Sequence, residues 1–153
     1  MIFRVATNDD LTEMKQLFHE TVESVCSNDY DAPQIKVWSA SIQNTQRWQD
    51  VIDTQYVLLA IIDDRIVGFA SLKDDNYLDF LYVHKNFQRQ GIASQLLSKL
   101  EGKARSSKEK TITTDASITA KPFFEKLHFK VLKMQQNERD GLILINYKMQ
   151  KDL

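Results

Sequence analysis

The stretch Tyr77-Leu78-Asp79-Phe80-Leu81-Tyr82-Val83-His84-Lys85-Asn86-Phe87-Gln88-Arg89-Gln90-Gly91-Ile92-Ala93-Ser94-Gln95-Leu96-Leu97-Ser98-Lys99-Leu100 decides the fold of this chain. Tyr77 to Val83 is aromatic or aliphatic except for Asp79, the composition of a strand. After a short loop, Ile92, Leu96, Leu97 and Leu100 recur at helical spacing, and Ala93 and Ala104 lengthen the stripe. Gly91 stands at the junction. A strand, a loop, a glycine and a helix present bare backbone N–H groups at a helix N-terminus, where the dipole also favours negative charge. Without a Cβ, Gly91 lets an anion approach the backbone closely.

Upstream, Ile2 to Val5 reads as a first strand. Thr7 and Asp10 have capping-box spacing, and Leu11, Met14, Phe18, Val22 and Val25 form the stripe of a helix running to about Cys26. Ser27 to Trp48 is polar with isolated aromatics. Asn28-Asp29-Tyr30-Asp31 is a turn cluster, Pro33 suits a first helical turn, and Ile35, Trp38 and Ile42 predict a second helix. Tyr56 to Ile62 and Ile66 to Leu72 predict a hairpin around Asp63-Asp64, with Gly68 marking a bulge or close packing. Asp74-Asp75-Asn76 turns the chain into the strand at Tyr77.

Downstream, Gly102 is expected to interrupt the helix near its end. Thr111 to Thr114 is a short strand that a right-handed crossover places parallel to the strand at Tyr77. Parallel neighbours whose ends diverge leave a cleft that a ligand can enter. Ser117 to Leu127 predicts a short helix in which Pro122, lacking an N–H, either delays the regular part or makes the first turn irregular. Phe129 to Met134 and Leu142 to Met149 are the last strands, joined at Arg139-Asp140-Gly141.

With 153 residues the chain is expected to be one domain, residues 1–153, able to build a core without staples. A formal net charge of −1 offers no basic excess for nucleic acid. Cys26 is the only cysteine, so neither a disulfide framework nor a thiolate metal cluster is available, and a reducing cytoplasm is expected. His19 and His128 lack a third ligand for zinc. Met1-Ile2-Phe3-Arg4 begins no apolar run of signal-peptide length, and no segment approaches a membrane span.

Gln88-x-x-Gly91-x-Ala93 after an apolar strand resembles the pyrophosphate-binding signature of the GCN5-related N-acetyltransferases (GNAT). A second segment, Ala116 to Phe129, resembles the family's run of a polar residue, an alanine and aromatic-aromatic-Glu-Lys before Gly-Phe. The order of elements also follows the family over nearly the whole chain. The resemblance implies an α/β (α+β) fold: a mixed, mostly antiparallel twisted sheet of about seven strands, helices on both faces, and a cleft between two splayed parallel central strands. It further implies acetyl transfer from acetyl-CoA to an amine, on a small molecule or a peptide, and it allows a homodimer. This sequence departs from the family twice: Phe124 stands where a tyrosine commonly protonates the leaving thiolate, and His128 where a glycine commonly ends the helix.

On that resemblance, the N–H groups of Arg89, Gln90, Gly91, Ile92, Ala93 and Ser94 would cradle the coenzyme A pyrophosphate beside Gln88, with the Ser94 hydroxyl adding a bond. Leu81, Tyr82 and Val83 would offer a free strand edge to the pantetheine amides, and the Leu81 N–H would stabilise the oxyanion. Ser117 would bond the cofactor or cap its helix, and Phe124 would line the cofactor site. Asp79 would take the amine's proton or orient the amine. Tyr77 stands where many members carry a glutamate base, cannot serve as one near neutral pH, and is with Asp79 a candidate for the substrate pocket. Tyr30 and Trp38 are pocket candidates, or simply pack the second helix. A rival reading, an acyl-CoA sensor or regulatory module without chemistry, is favoured by Phe124. Rossmann and P-loop readings fail for want of their glycine signatures.

Overall fold

A computed structural model describes residues 1–153. In chain order the elements are β1 (Ile2–Val5), α1 (Leu11–Val25), α2 (Ala32–Ser39), α3 (Thr45–Thr54), β2 (Tyr56–Ile62), β3 (Arg65–Lys73), β4 (Tyr77–Val83), α4 (Ile92–Ser106), β5 (Thr111–Ser117), α5 (Lys121–Lys126), β6 (Lys130–Arg139) and β7 (Leu142–Asp152). They build one seven-stranded sheet in the order β1-β2-β3-β4-β5-β7-β6. Every neighbouring pair is antiparallel except β4 and β5, the parallel neighbours expected from the crossover.

Local chemistry explains most boundaries. The Thr7 N–H donates to the Asp10 carboxylate at 2.8 Å, and Arg4 of β1 grips both Asp10 oxygens at 2.8 Å, tying the first helix to the first strand. Asp31 and Gln34 cap α2 reciprocally, with Pro33 in its first turn. Pro122 likewise falls in the first turn of α5, which starts late as expected. His128 adopts the left-handed conformation, φ 74°, that the family's glycine would supply.

Four boundaries differ from the sequence reading. Helix α4 runs unbroken through Gly102, whose position faces open space while Leu100, Glu101 and Ala104 anchor its neighbours. Ser117 ends β5 rather than beginning a helix, because full pairing with β7 carries the strand past Thr114. The β6–β7 hairpin extends to Arg139 on one strand and Asp152 on the other. Finally, Thr45–Thr54 is a helix where the sequence reading assigned no element.

The sheet separates two cores. Helix α4 covers one face through Ile92, Leu96, Leu97 and Leu100, against Leu58, Val67, Leu78 and Val83. Gly68 lies where a Cβ would stand 3.1 Å from Ile92 and 3.2 Å from Leu96, so both readings of it hold: close packing, and a bulge whose extra residue is its β3 neighbour Val67, across from Ala60 and Ile61. Helices α1 to α3 cover the other face, where Trp48 meets Phe18 at 5.3 Å and Phe80 at 5.0 Å between ring centroids.

A second bulge positions the site. Between β3 and β4 the register passes from Leu72↔Leu78 to Ser71↔Phe80, leaving Asp79 as the extra residue. Alternation then inverts: Leu78 packs under α4, whereas Phe80 packs under α1. The His84 N–H donates to the Val67 carbonyl at 2.8 Å, which fixes the pleat. The backbone of Phe80, Tyr82 and His84 therefore faces β3, and that of Leu81 and Val83 faces away from it. On that side β5 pairs only at Tyr77↔Thr113 and Leu78↔Thr114. Beyond them the two strands part.

Candidate active site

The loop after β4 is held in shape by its own side chains. Gln88 Nε2 donates to the Val83 carbonyl at 2.6 Å, which Thr21 also reaches at 3.1 Å. The Asn86 N–H donates to His84 Nδ1 at 3.0 Å. Arg89 at φ 60° and Gly91 at φ 80° both turn left-handed, and α4 starts with no side-chain cap. As a result, the six consecutive N–H groups from Arg89 to Ser94 have no acceptor within the protein. Left- and right-handed residues in alternation make successive N–H groups converge on an anion. A Cβ at Gly91 would meet only Gln95, at 3.9 Å, so the space above this backbone is open.

From that loop a cleft of about 750 Å³ runs between the parted strands, along Asp79 to Val83 on one side and Thr114 to Ser117 on the other. Gln88 and Ala93 lie at its walls, as do Phe123 and Phe124. Phe124 is buried in an edge-to-face cluster, 5.0 Å from Phe129 and 5.2 Å from Phe123. Ser117 Oγ accepts the Ala120 N–H at 3.0 Å, capping the turn before α5. The Ile92 side chain is buried under α4, so only its backbone faces the loop.

Past the end of β5, the β7 carbonyls would lose their partners. Helix α2 and the turn before it supply replacements: the Tyr30 hydroxyl donates to Ile145 O at 2.6 Å and Gln34 Nε2 to Ile143 O at 2.8 Å. The same hydroxyl accepts the Ile118 N–H at 2.9 Å. Tyr30 is thereby buried, with Trp38 edge-on at 5.2 Å, and both line the cleft.

On the α3 face, Arg47 donates to both Asp79 oxygens, at 2.7 and 2.9 Å, and stacks 4.8 Å from the Phe80 ring centroid. Gln55 adds a third bond to Asp79 at 2.7 Å. Burial pushes the Asp79 carboxyl up, but these donors outweigh it and hold the group below the usual carboxylate range. Tyr77 does not line the cleft. Its hydroxyl donates to Asp115 Oδ2 at 2.5 Å, and burial, then that carboxylate, pushes the phenol up. Burial similarly raises the Tyr82 phenol, and it raises the Cys26 thiol to about 11.

Sequence reasoning missed Arg47, Gln55 and Asp115. Arg47 had a signal: Asn44 accepts its N–H at 3.1 Å as a helix cap, and Trp48, Val51 and Ile52 are the apolar face. No local pattern marks Gln55 or Asp115.

A sequence model of the acetyltransferase (GNAT) domain matches residues 26–151. An uncharacterized N-acetyltransferase of Escherichia coli K12, YafP, is 36% identical over 140 residues, 92% of this chain and 88% of that protein. A GCN5-related N-acetyltransferase of Rhodopseudomonas palustris superposes with a TM-score of 0.95 at 27% identity, over 99% of this chain and 95% of the other. The PaiA N-acetyltransferase of Thermoplasma acidophilum, solved with coenzyme A, shares the fold at a TM-score of 0.77 and 16% identity over the full length of both. The parted parallel strands, the uncapped glycine loop and these matches have one reading: the chain belongs to the GCN5-related N-acetyltransferase (GNAT) family.

Proposed function

We propose that this protein transfers an acetyl group from acetyl-CoA to a primary amine, by direct attack within a ternary complex. The observation that carries the reading is the run of six unpartnered N–H groups, Arg89 to Ser94, opening onto an unpaired strand edge. Such a run suits a pyrophosphate, and the Ser94 hydroxyl adds a donor. The free groups of Leu81 and the Val83 N–H suit the pantetheine amides beside Tyr82. The Val83 carbonyl is already taken by Gln88 and Thr21. Gln88 thus acts by fixing the loop, with Ala93, Ser117 and Phe124 forming walls.

The Leu81 N–H faces the gap where the thioester carbonyl would lie and would stabilise its oxyanion. The amine nitrogen forms a bond to the carbonyl carbon, the carbon–sulfur bond breaks, and coenzyme A leaves as a thiolate. Phe124 supplies it no proton, so a proton shed by the amine and carried by water must reach the sulfur. The raised Cys26 thiol disfavours an acyl-cysteine intermediate. The acceptor would enter between Tyr30 and Trp38 and the Arg47–Asp79 pair. Of the two roles expected of Asp79, orientation suits a carboxylate whose oxygens are held by Arg47 and Gln55.

Incubation with acetyl-CoA and an amine panel, following free thiol and product mass, tests this reading. Thiol release matched by acetylated amine supports it. Coenzyme A binding with no acetylated product from any amine would favour the sensor reading, which Phe124 also suits.

A further inference from the structure

We infer that Asp115 anchors the acceptor's ammonium group and takes its proton as the amine enters the site. This rests on the acetyltransferase reading above and names the residue through which a cationic amine is selected.

The parted strands begin at a narrow throat. Leu78 and Thr114 are the last paired residues, so Asp79 and Asp115 are the first residues of the two arms. Both point to the face away from α4. Asp79 meets Arg47 and Gln55, while Ile112 and Ala116 on β5 are buried beneath α4 and Asp115 between them alternates outward. Two carboxylates therefore flank the point where the cleft begins, on the side the acceptor would approach.

Their surroundings differ in kind. Asp79 is compensated by a guanidinium and is largely buried. Asp115 is exposed, lines the cleft, and receives only neutral donors: the Tyr77 hydroxyl at 2.5 Å on Oδ2 and Gln135 Nε2 at 2.7 Å on Oδ1. No cationic nitrogen lies within 4.0 Å of either oxygen. The charged and titratable neighbours are Tyr77 and the Arg47–Asp79 pair from β4 and α3, Lys148 opposite on β7, and Lys133 beyond it on β6. Each Asp115 oxygen keeps a lone pair free, because a carboxylate oxygen accepts two bonds and here has one. Tyr77 and Gln135, anchored on different strands, fix the direction in which those lone pairs point.

An arriving R–NH3⁺ would complete this set. Transfer of one proton to Asp115 leaves a neutral amine whose lone pair attacks the thioester carbon. The second proton, lost as the adduct collapses, leaves by water to the departing sulfur, and Asp115 returns its proton to solvent. The products are the amide, the thiol and one released proton. Tyr77 acts as a positioning residue for Asp115.

The test uses the whole chain with acetyl-CoA and spermidine, an aminosugar, lysine and a peptide with a free N-terminus. For whichever amine the parent acetylates, Asp115→Asn should bind coenzyme A within twofold of the parent. It should lose about 100-fold in kcat/KM at pH 7. The deficit should shrink as pH rises toward the amine's own pKa, because solution then supplies the neutral amine. Asp115→Glu should recover part of the rate, and Tyr77→Phe should show a smaller loss of the same pH form. Asp115→Asn keeping more than a third of the parent's kcat/KM at pH 7 would overturn the inference while leaving the transferase reading intact. A parent that binds coenzyme A and acetylates no amine would overturn both.

Discussion

Arg47 and Asp79, 32 residues apart, form a two-pronged ion pair at 2.7 and 2.9 Å that spans α3 and the bulge of β4. The pair holds the bulge from one side as the Phe80 N–H, bonded to Ser71 Oγ at 3.2 Å, holds it from the other. Without the bulge the backbone of Leu81 would face β3 rather than the gap, so a surface-linked ion pair supports the orientation of a backbone donor.

Replacing Asp79 by Asn should therefore destabilise the protein by about 1 kcal/mol, at the low end for a charged hydrogen bond because Arg47 is 43% exposed. The pH dependence has a definite sign. A carboxyl held below its usual value contributes its stability above the unfolded pKa of ~4 and loses it as pH falls through the folded value. Urea titrations of parent and variant should differ fully at pH 7 and begin to converge as pH falls below about 4. A gap that stays constant down to pH 3 would contradict this role for the pair.

Tyr30→Phe removes one hydroxyl that serves both Ile145 O and Ile118 N. Leaving those backbone groups unpaired should cost about 1–3 kcal/mol. The β6–β7 hairpin should loosen where β5 no longer reaches it, visible as faster amide exchange at Ile118. Coenzyme A affinity should hold, while the acceptor KM rises. A variant as stable as the parent would mean that water replaces the hydroxyl.

Phe124→Tyr places a phenol at the cleft wall. Coenzyme A binding should persist and turnover should equal or exceed the parent's, with a lower Tm, because Phe124 is buried among Phe123 and Phe129. A large fall in turnover with binding intact would assign this position a different role.

The sequence made the central strand, the glycine loop and α4 readable because their signals are local: apolar composition, one glycine and a helical stripe. The parallel placement of β5 followed from its position after a strand–helix unit, joined by a right-handed crossover. Helix α3 escaped because Trp48, Val51 and Ile52 are its only large apolar residues in a polar setting. Arg47–Asp79 and Tyr77–Asp115, separated by 32 and 38 residues, are products of tertiary packing that no periodicity encodes. The motif residue Gln88 was legible as a type, but its bond back to Val83 was not. Asp79 drew notice for its apolar flanks, yet which cation would claim it depended on the unseen helix.

The most direct measurement is coenzyme A binding by the parent and Gly91→Val. Gly91 sits at φ 80°, so a branched residue there is strained and should cost about 1–2 kcal/mol of stability. The added methyls would also occupy the open space above the six free N–H groups. Coenzyme A at 100 times its Kd should stabilise the parent by ~2.7 kcal/mol, raising Tm by about 5–10 °C. The parent should show that shift, a folded Gly91→Val almost none, and the variant's calorimetric affinity should be reduced at least 100-fold. Equal coenzyme A affinity in the two proteins would contradict this prediction.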